Sequence, residues 1–555
     1  MADDPIQLKR LPTSELDDRA DLHDRTMLLS GDQHHGNNAD RYDNVSKIDR
    51  RLTIDEIAES LKCGLFQYLC FFVCGLCFTA EGLIVQSVSI IVVSACDLNI
   101  TTGNRTWLGM SMLIGTAVSS FFFGISGDFF GRRRILLVAL SINIIFTFAS
   151  AFANNYVTLV VLSFFNGVGC GGVLPVTLAY AVEFFPRKYR GMTASASNGY
   201  WCFGNMYAAL MALWIIPQSF NISVGNITLV SWRIFTMVCV IPPIMAWISL
   251  VFMPNSPRFL IKQGKPDKTL QVLHKIHHIN KRCYRNGTYE DPLIELSNLP
   301  TKEELDNETS DDCGKRGNLL CSPLYGMLGQ YAKLYSARWR KQTMLICTIW
   351  FLYSFCTYGL WLWIPTLYSL YSHGQTCGQF HNFINSSHNI AVQSMNHSSS
   401  CATRSHDVTI YRNLFINTIA TLVIEAIFIP TINYLGRRLL FSGLTFLSSL
   451  SIFAIWLTNT STGIMICACF FSGFSGSGWN ILNIWSSELY PTHLRSTSNG
   501  WVNLWGRTGG IVGTVAVGQL LRFGCSLPII IVAVAGFITC ALSLTLPDTT
   551  KAEIK

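Results

Sequence analysis

The stretch Gly124-Ile125-Ser126-Gly127-Asp128-Phe129-Phe130-Gly131-Arg132-Arg133-Arg134 constrains this chain more than any other. It sits between two long apolar runs. An acid, a tight glycine turn and three arginines cannot lie in lipid, so the stretch joins two membrane-crossing helices at a water-exposed face. The pattern returns in weaker form at Ile432-Asn433-Tyr434-Leu435-Gly436-Arg437-Arg438. A second hinge, Glu183-Phe184-Phe185-Pro186-Arg187-Lys188-Tyr189-Arg190-Gly191, returns at Glu488-Leu489-Tyr490-Pro491-Thr492-His493-Leu494-Arg495-Ser496. Gly131 and Gly436 lie 305 residues apart, and so do Glu183 and Glu488. Two hinge types repeated at one spacing mean a duplicated membrane unit with parallel repeats.

Composition agrees. Half of the 555 residues are hydrophobic and only 13% are charged, about half the charged share of a typical water-soluble chain. The net charge of +8 does not call for nucleic acid. The basic residues crowd into the short hinges, where the positive-inside rule places them. The first 62 residues are polar and the first apolar run is too long for a signal peptide.

Twelve apolar segments are each near the ~20 residues that a bilayer crossing requires. They are 65–94, 107–126, 135–153, 157–181, 193–216 and 232–253, then 342–370, 411–431, 439–457, 463–485, 497–521 and 526–546. The expected chain is therefore an all-α membrane protein of 12 transmembrane helices in two pseudo-symmetric six-helix halves, 63–253 and 342–546. Residues 1–62 read as a largely disordered cytosolic tail, with helix near Ile54–Leu61. Residues 254–341 read as a central cytosolic loop and 547–555 as a second tail.

Asn-x-Ser/Thr sites give an independent check on sidedness. Asn99, Asn104, Asn221, Asn226, Asn385, Asn396 and Asn459 all fall in loops assigned to the far face, which is expected to be glycosylated, whereas Asn44, Asn286 and Asn307 should stay bare. The long loop 371–410 on that face holds Cys377 and Cys401, the best disulfide candidates in an oxidising compartment, with a free pair as the alternative. Its five histidines lack paired ligand spacing, so no metal is expected. The other cysteines of the apolar segments, such as Cys70, Cys74, Cys77, Cys239, Cys467 and Cys469, read as small buried hydrophobes.

Several motifs resemble a known family. Cys63-Gly64-Leu65-Phe66-Gln67-Tyr68 leads into the first span, which contains Ala80-Glu81-Gly82. Asn255-Ser256-Pro257-Arg258-Phe259 and Gly264-Lys265 follow the sixth, and the tenth runs Trp479-Asn480-Ile481-Leu482-Asn483 into Glu488-Leu489-Tyr490-Pro491. Over about residues 60–547 the chain resembles the synaptic vesicle glycoprotein 2 family and related vesicle proteins of the major facilitator superfamily. That resemblance implies the major facilitator superfamily fold. Its first span usually carries two acids; Glu81 matches one and Ile84 stands at the other. Asn483 replaces an acid after the tenth-span tryptophan, and Arg507 keeps the basic residue of the eleventh span. The far-face loop is short, as in the smaller vesicle proteins.

In that fold the first, fourth, seventh and tenth spans line a central cavity, with the second, fifth, eighth and eleventh beside them. Few ionisable residues lie deep in the spans: Glu81, Glu425 and Arg507. A mid-bilayer charge costs at least ~2.5–3.5 kcal/mol, so each is expected to face a cavity or a partner. Glu81 and Arg507 are expected to meet across the halves, with Glu425 competing for the same cation. They either set substrate or ion selectivity or lock the helices as a buried ion pair. Tyr200, Trp201, Tyr207, Trp361, Trp363, Trp479, Asn483 and Trp485 are candidates for the cavity wall, since aromatic faces bind sugars, heterocycles and organic cations. Trp201 and Trp479 match family cavity positions; for the other tryptophans, facing lipid or anchoring at its interface is the preferred reading.

The gating candidates are Gly127, Asp128, Gly131, Arg132, Arg133, Glu183, Arg187, Arg190, Gly436, Arg437, Glu488 and Arg495. Asp128 and Arg132 are expected to pair with the opposite half, including the Glu488 and Arg495 hinge, as a two-state latch. Asn433 stands where an acid is usual, so Arg437 and Arg438 are expected to form a weaker latch. Arg133 and Arg134 read as turn caps. Gly167, Gly169, Gly171 and Gly172 with Pro175 read as close helix packing rather than a nucleotide loop, since no strand precedes them. No Ser/His/Asp set, CxxC pair or Walker loop appears, so neither an enzyme nor a cofactor is expected. The reading is a vesicle-membrane transporter-like glycoprotein with cytosolic termini. It carries a small organic solute or ion by alternating access or serves regulated exocytosis with the release machinery. The alternatives are a plasma-membrane carrier for organic ions or sugars, and a non-transporting scaffold or receptor.

Overall fold

A computed structural model describes residues 63–98, 104–218, 220–224, 227–281, 331–372, 407–431, 435–458, 460–490, 492–521 and 526–548, with Glu56, Ile57 and Glu59. Most of the expected tails, most of the central loop and most of loop 371–410 lie outside the described residues.

The first half contains α1 (Leu65–Ser94), α2 (Arg105–Phe130), α3 (Arg132–Ser150), α4 (Tyr156–Val182), α5 (Arg187–Ile215), and the two-piece sixth span α6 (Ser231–Val238) and α7 (Ile241–Val251). Two short helices follow, α8 (Pro257–Lys262) and α9 (Pro266–Lys281). The second half contains the two-piece seventh span α10 (Arg340–Trp361) and α11 (Ile364–Ser372), then α12 (Val408–Thr431), α13 (Arg437–Leu457), α14 (Ser461–Glu488), α15 (Thr492–Leu520) and α16 (Ser526–Ser543). Among the described residues, ten helical segments are long and apolar enough to cross a membrane. The 29-residue α5 and α15 are more polar and fill the fifth and eleventh positions, completing the twelve.

The two halves pack by the same rules. In the first, α1 lies along α5 and α2 along α4; in the second, α10 lies along α15 and α12 along α14. Close approach rests on small residues. Gly167 and Gly171 of α4 face the backbone carbonyls of Met112 and Thr116, and Gly509 and Gly513 of α15 face those of Phe351 and Phe355. A methyl group at any of these would collide with a neighbouring helix, as the small-residue rule for membrane helices requires. The halves meet where α5 packs on α12 and α2 on α15. The outside carries large exposed apolar side chains, including Phe122, Ile145, Val157 and Trp214. Such a surface would aggregate in water and is at home in lipid.

Prolines explain both broken spans. Pro365 has no N–H for the carbonyl four residues back, at Trp361, and the helix stops at Trp361 and restarts at Ile364. Pro242 and Pro243 occupy the first turn of α7, where the missing donors cost least. The sequence reading treated both spans as continuous.

Two elements differ from expectation. Residues 257–281, read as loop, are helical. Ser256 caps α8 by accepting from the Phe259 N–H (3.3 Å), and α9 turns Thr269, Leu273, Ile276 and Asn280 inward. Asn280 then acts as a cap for another helix. Its Oδ1 accepts from the Phe66 N–H (3.0 Å) and its Nδ2 donates to Gln67 Oε1 (2.9 Å), which also accepts from the Gly64 N–H (3.0 Å). Between α5 and α6 an antiparallel hairpin pairs Asn221–Val224 (β1) with Ile227–Val230 (β2). The Gly225-Asn226 pair between its strands is the sequence signal that announces it.

Candidate functional site

A cavity lies on the seam between the halves. Its walls come from both: Val85, Gln86 and Ser89 of α1 and Trp201, Cys202 and Asn205 of α5 on one side, and Asn417, Thr418 and Thr421 of α12 with Ser472 of α14 on the other. Trp361, Leu362 and Ile364 line it at the break of the seventh span. The α12 side chains belong to a buried polar stripe at four-residue spacing, Asn413, Asn417, Thr421 and Glu425. That spacing keeps the four side chains on one side of the helix over about three turns. The sequence reading picked out only Glu425 from the stripe and missed Gln86, Cys202 and Asn205.

The buried charges are arranged in two groups. Arg507 Nη2 donates to Glu81 Oε1 (3.3 Å) across the halves, and Arg507 Nη1 donates to the Tyr358 hydroxyl (3.3 Å). Glu81 is 2% exposed, and its Oε2 has no hydrogen-bond partner among the described residues. Glu425 does not compete for this cation. Its Oε2 accepts from the Cys202 thiol (3.1 Å), another contact between the halves. Gly476 makes room for it, since a Cβ there would overlap Glu425 Oε1.

Of the aromatic candidates, Trp201 and Trp361 come together. Their rings stack across the halves with centroids 5.0 Å apart. Tyr358 joins Trp361 to Trp479 edge-on, at 6.2 and 5.8 Å, and Trp479 meets Trp350 at 5.3 Å. The remaining candidates are occupied elsewhere. Tyr200 packs on Phe71 and Phe203, and the Tyr207 hydroxyl donates to the Val238 carbonyl (3.1 Å). Trp363 Nε1 donates to the Thr514 carbonyl (3.4 Å), and Asn483 donates to the carbonyl of Trp479 in its own helix (3.0 Å). Trp485 is core: it is fully buried, and its Nε1 donates to the Pro547 carbonyl (3.2 Å).

At the hinges, Arg132 binds Glu183 (2.7 Å) and Arg437 binds Glu488 (3.3 Å). The two pairs are related by the same 305-residue step, and each lies inside its own half. Arg437 therefore has the acid that Asn433 does not provide. Arg133 donates to the Leu250 carbonyl (3.1 Å) at the end of α7, a favourable place for a cation. Arg190 donates to the Phe185 carbonyl (3.0 Å). Gly127 and Gly131 close α2 through a Gly131 N–H to Gly127 carbonyl bond (3.1 Å). Gly131 has φ +93°, and a Cβ on it would stand 2.7 Å from the Phe259 ring. Gly436, by contrast, has an ordinary φ of −58°. The side chains of Asp128, Arg187 and Arg495 lie outside the described residues, as does the latch expected of them.

Asn104 is exposed at the N-terminus of α2 and Asn221 opens β1, both at the end away from the hinges. Asn99, Asn226, Asn385, Asn396, Asn459, Cys377 and Cys401 lie outside the described residues.

Residues 64–292 match the family described as sugar (and other) transporter. The chain is 26% identical to synaptic vesicle glycoprotein 2C of Mus musculus over 90% of its length and 82% of that protein. It is 26% identical to synaptic vesicle glycoprotein 2B of Homo sapiens over 88% of its length and 84% of that protein. Among solved structures it superposes on the xylose transporter XylE of E. coli, in a partially occluded inward-open conformation, with TM-score 0.62. The match covers 88% of this chain and 99% of that one at 14% identity. A crystal structure of a D-xylose-proton symporter gives TM-score 0.58 over 87% and 98% at 15% identity. The chain is thus a multi-pass membrane protein with the major facilitator superfamily fold, similar in sequence to the synaptic vesicle glycoprotein 2 proteins.

Proposed function

We propose that the protein is a transporter-like vesicle-membrane glycoprotein, with both termini cytosolic, that moves a small organic solute by alternating access. The observation that carries this reading is the cavity on the seam. It is lined by amides and hydroxyls from both halves and walled by the Trp201–Trp361 stack. Each half keeps its own hinge ion pair, which favours motion as two blocks rocking about the contacts α5–α12 and α2–α15. A solute held between Asn205 of one block and Asn417 of the other is released when the blocks part. Neutral polar solutes suit these walls best, because Arg507 is already paired with Glu81.

The test is a thermal-stabilisation screen of purified protein with sugars, organic cations and organic anions, repeated on Asn417→Ala. The active solute is then followed in proteoliposome counterflow. A solute that stabilises the wild type, loses its effect in Asn417→Ala and exchanges across the membrane is the expected result. A stabilising solute that never exchanges, or whose effect survives Asn417→Ala, overturns this assignment.

A further inference from the structure

We infer that Glu425, together with oxygen atoms one helical turn away, holds a small monovalent cation of the sodium class on the seam between the halves. Glu425 is 4% exposed, yet its hydrogen-bonding partner among the described residues is the Cys202 thiol, a weak donor without charge. Arg507, the mid-span cation, is already bound to Glu81. The Tyr353 hydroxyl near Glu425 donates instead to the Ser475 carbonyl. A carboxylate buried without an opposite charge is costly. The fold nevertheless keeps room for this one at Gly476, where a Cβ would overlap Glu425 Oε1.

The neighbouring turn supplies oxygens that call for a positive charge. α12 and α14 run in the same direction, with α13 between them in the chain, and Gly476 lies against Glu425 as Gly473 does against Ile424. Thr421 and Ser472 stand four residues before Glu425 and Gly476, roughly one 5.4 Å turn away, and both line the cavity. From the other half, Asn205 lines it beside Cys202. Ser472 Oγ, Asn205 Oδ1 and Asn417 Oδ1 have no hydrogen-bond partner among the described residues. These residues are 4%, 8% and 7% exposed, so bulk water does not serve them. The Thr421 and Thr418 hydroxyls donate to the Asn417 and Phe415 carbonyls (2.8 Å each), and that of Ser89 donates to the Gln86 carbonyl (2.8 Å). What these hydroxyls offer the cavity is lone pairs. A proton on Glu425 would satisfy one oxygen, whereas a coordinated ion satisfies several at once, and hard cations take oxygen ligands. A single carboxylate matches a single positive charge. Among the described residues no three His, Cys, Asp or Glu side chains gather, so the ligands of a transition-metal centre are missing.

The oxygens come from α5 of one half and from α12 and α14 of the other. The ion therefore closes the seam beside the cavity and loses part of its shell when the halves separate. It meets the charge requirement of Glu425 without involving the Glu81–Arg507 pair. The inference concerns the ion alone and stands whether or not a solute is carried.

The experiment measures equilibrium binding of radioactive sodium to the purified full chain in detergent, at mildly alkaline pH, with choline chloride holding the ionic strength. The melting temperature is followed in the same two salts. Saturable sodium binding, and melting that rises with sodium chloride but not with choline chloride, are the expected results. Glu425→Gln keeps the shape, removes the charge and should lose both. Because that variant risks misfolding, Thr421→Val, which keeps the volume and removes one oxygen, is measured beside it. Its apparent sodium affinity should fall about tenfold or more, the loss expected for one bond to a charged group. Equal melting of the wild type in the two salts, sodium binding that survives Glu425→Gln, or an affinity unchanged in Thr421→Val overturns the assignment. Sodium binding by a protein that exchanges no solute supports the ion site and counts against the transport reading alone.

Discussion

Truncating Glu81 while keeping Arg507 should destabilise the protein, and replacing both should not. Arg507 cannot shed its proton, so Glu81→Ala strands a buried cation with the Tyr358 hydroxyl as its remaining described contact. Breaking a buried pair in this way costs about 3–5 kcal/mol. The 3.3 Å separation is long for a charge-assisted bond, which usually spans about 2.7–2.9 Å, so the lower end, about 3 kcal/mol, is expected. With a melting entropy of about 2.1 cal/mol/K per residue, a chain of this size loses roughly 1 °C for each kcal/mol. Glu81→Ala should therefore melt about 2–3 °C below the wild type in detergent, followed by intrinsic tryptophan fluorescence. The double variant Glu81→Leu with Arg507→Met fills the same volume with apolar groups and should melt within about 1 °C of the wild type or above it. Equal losses in the two proteins, or no loss in Glu81→Ala, would refute the idea that the pair is held by mutual need rather than by net stabilisation.

Two further outcomes test the hinge and the cap. Gly131→Ala places an L side chain at φ +93° against Phe259; the conformation alone costs about 1–2 kcal/mol. It should melt lower than Gly124→Ala, where a Cβ meets nothing within 4 Å, and equal melting would discount the turn. Asn280→Ala leaves the Phe66 N–H without its acceptor, a loss of about 1–3 kcal/mol for a buried donor. Hydrogen exchange at residues 64–67 should speed up, and unchanged protection would mean that α9 does not brace α1.

The architecture was largely legible because lipid leaves few choices. Hinges that repeat every 305 residues specify two like bundles, and apolar length specifies the rods. The same repeat carried the Arg132–Glu183 and Arg437–Glu488 pairs. The sequence reading overlooked the second pair by seeking an acid beside Arg437 rather than at the end of the tenth span. The site was legible only in part. Glu81, Arg507, Trp201 and Trp361 stood out because charges and large aromatics are conspicuous in apolar runs. Asn205, Asn417 and Thr421 were overlooked because single amides and hydroxyls are unremarkable one at a time. Their four-residue rhythm in α12 was present in the sequence and would have marked the face. Tyr207 and Trp485 were drawn toward the pocket by residue type alone. Which way a side chain points depends on helix rotation, and that is fixed by packing against partners hundreds of residues away.

Pro365 has a consequence for how this molecule can change. By withholding a donor from the Trp361 carbonyl, it breaks the rod among Trp361, Leu362 and Ile364, which line the cavity. Swapping those side chains would not erase the break; only losing the imino acid and healing the rod would. Drift in specificity should therefore run through α12 and α5, while the kinked seventh span stays as it is.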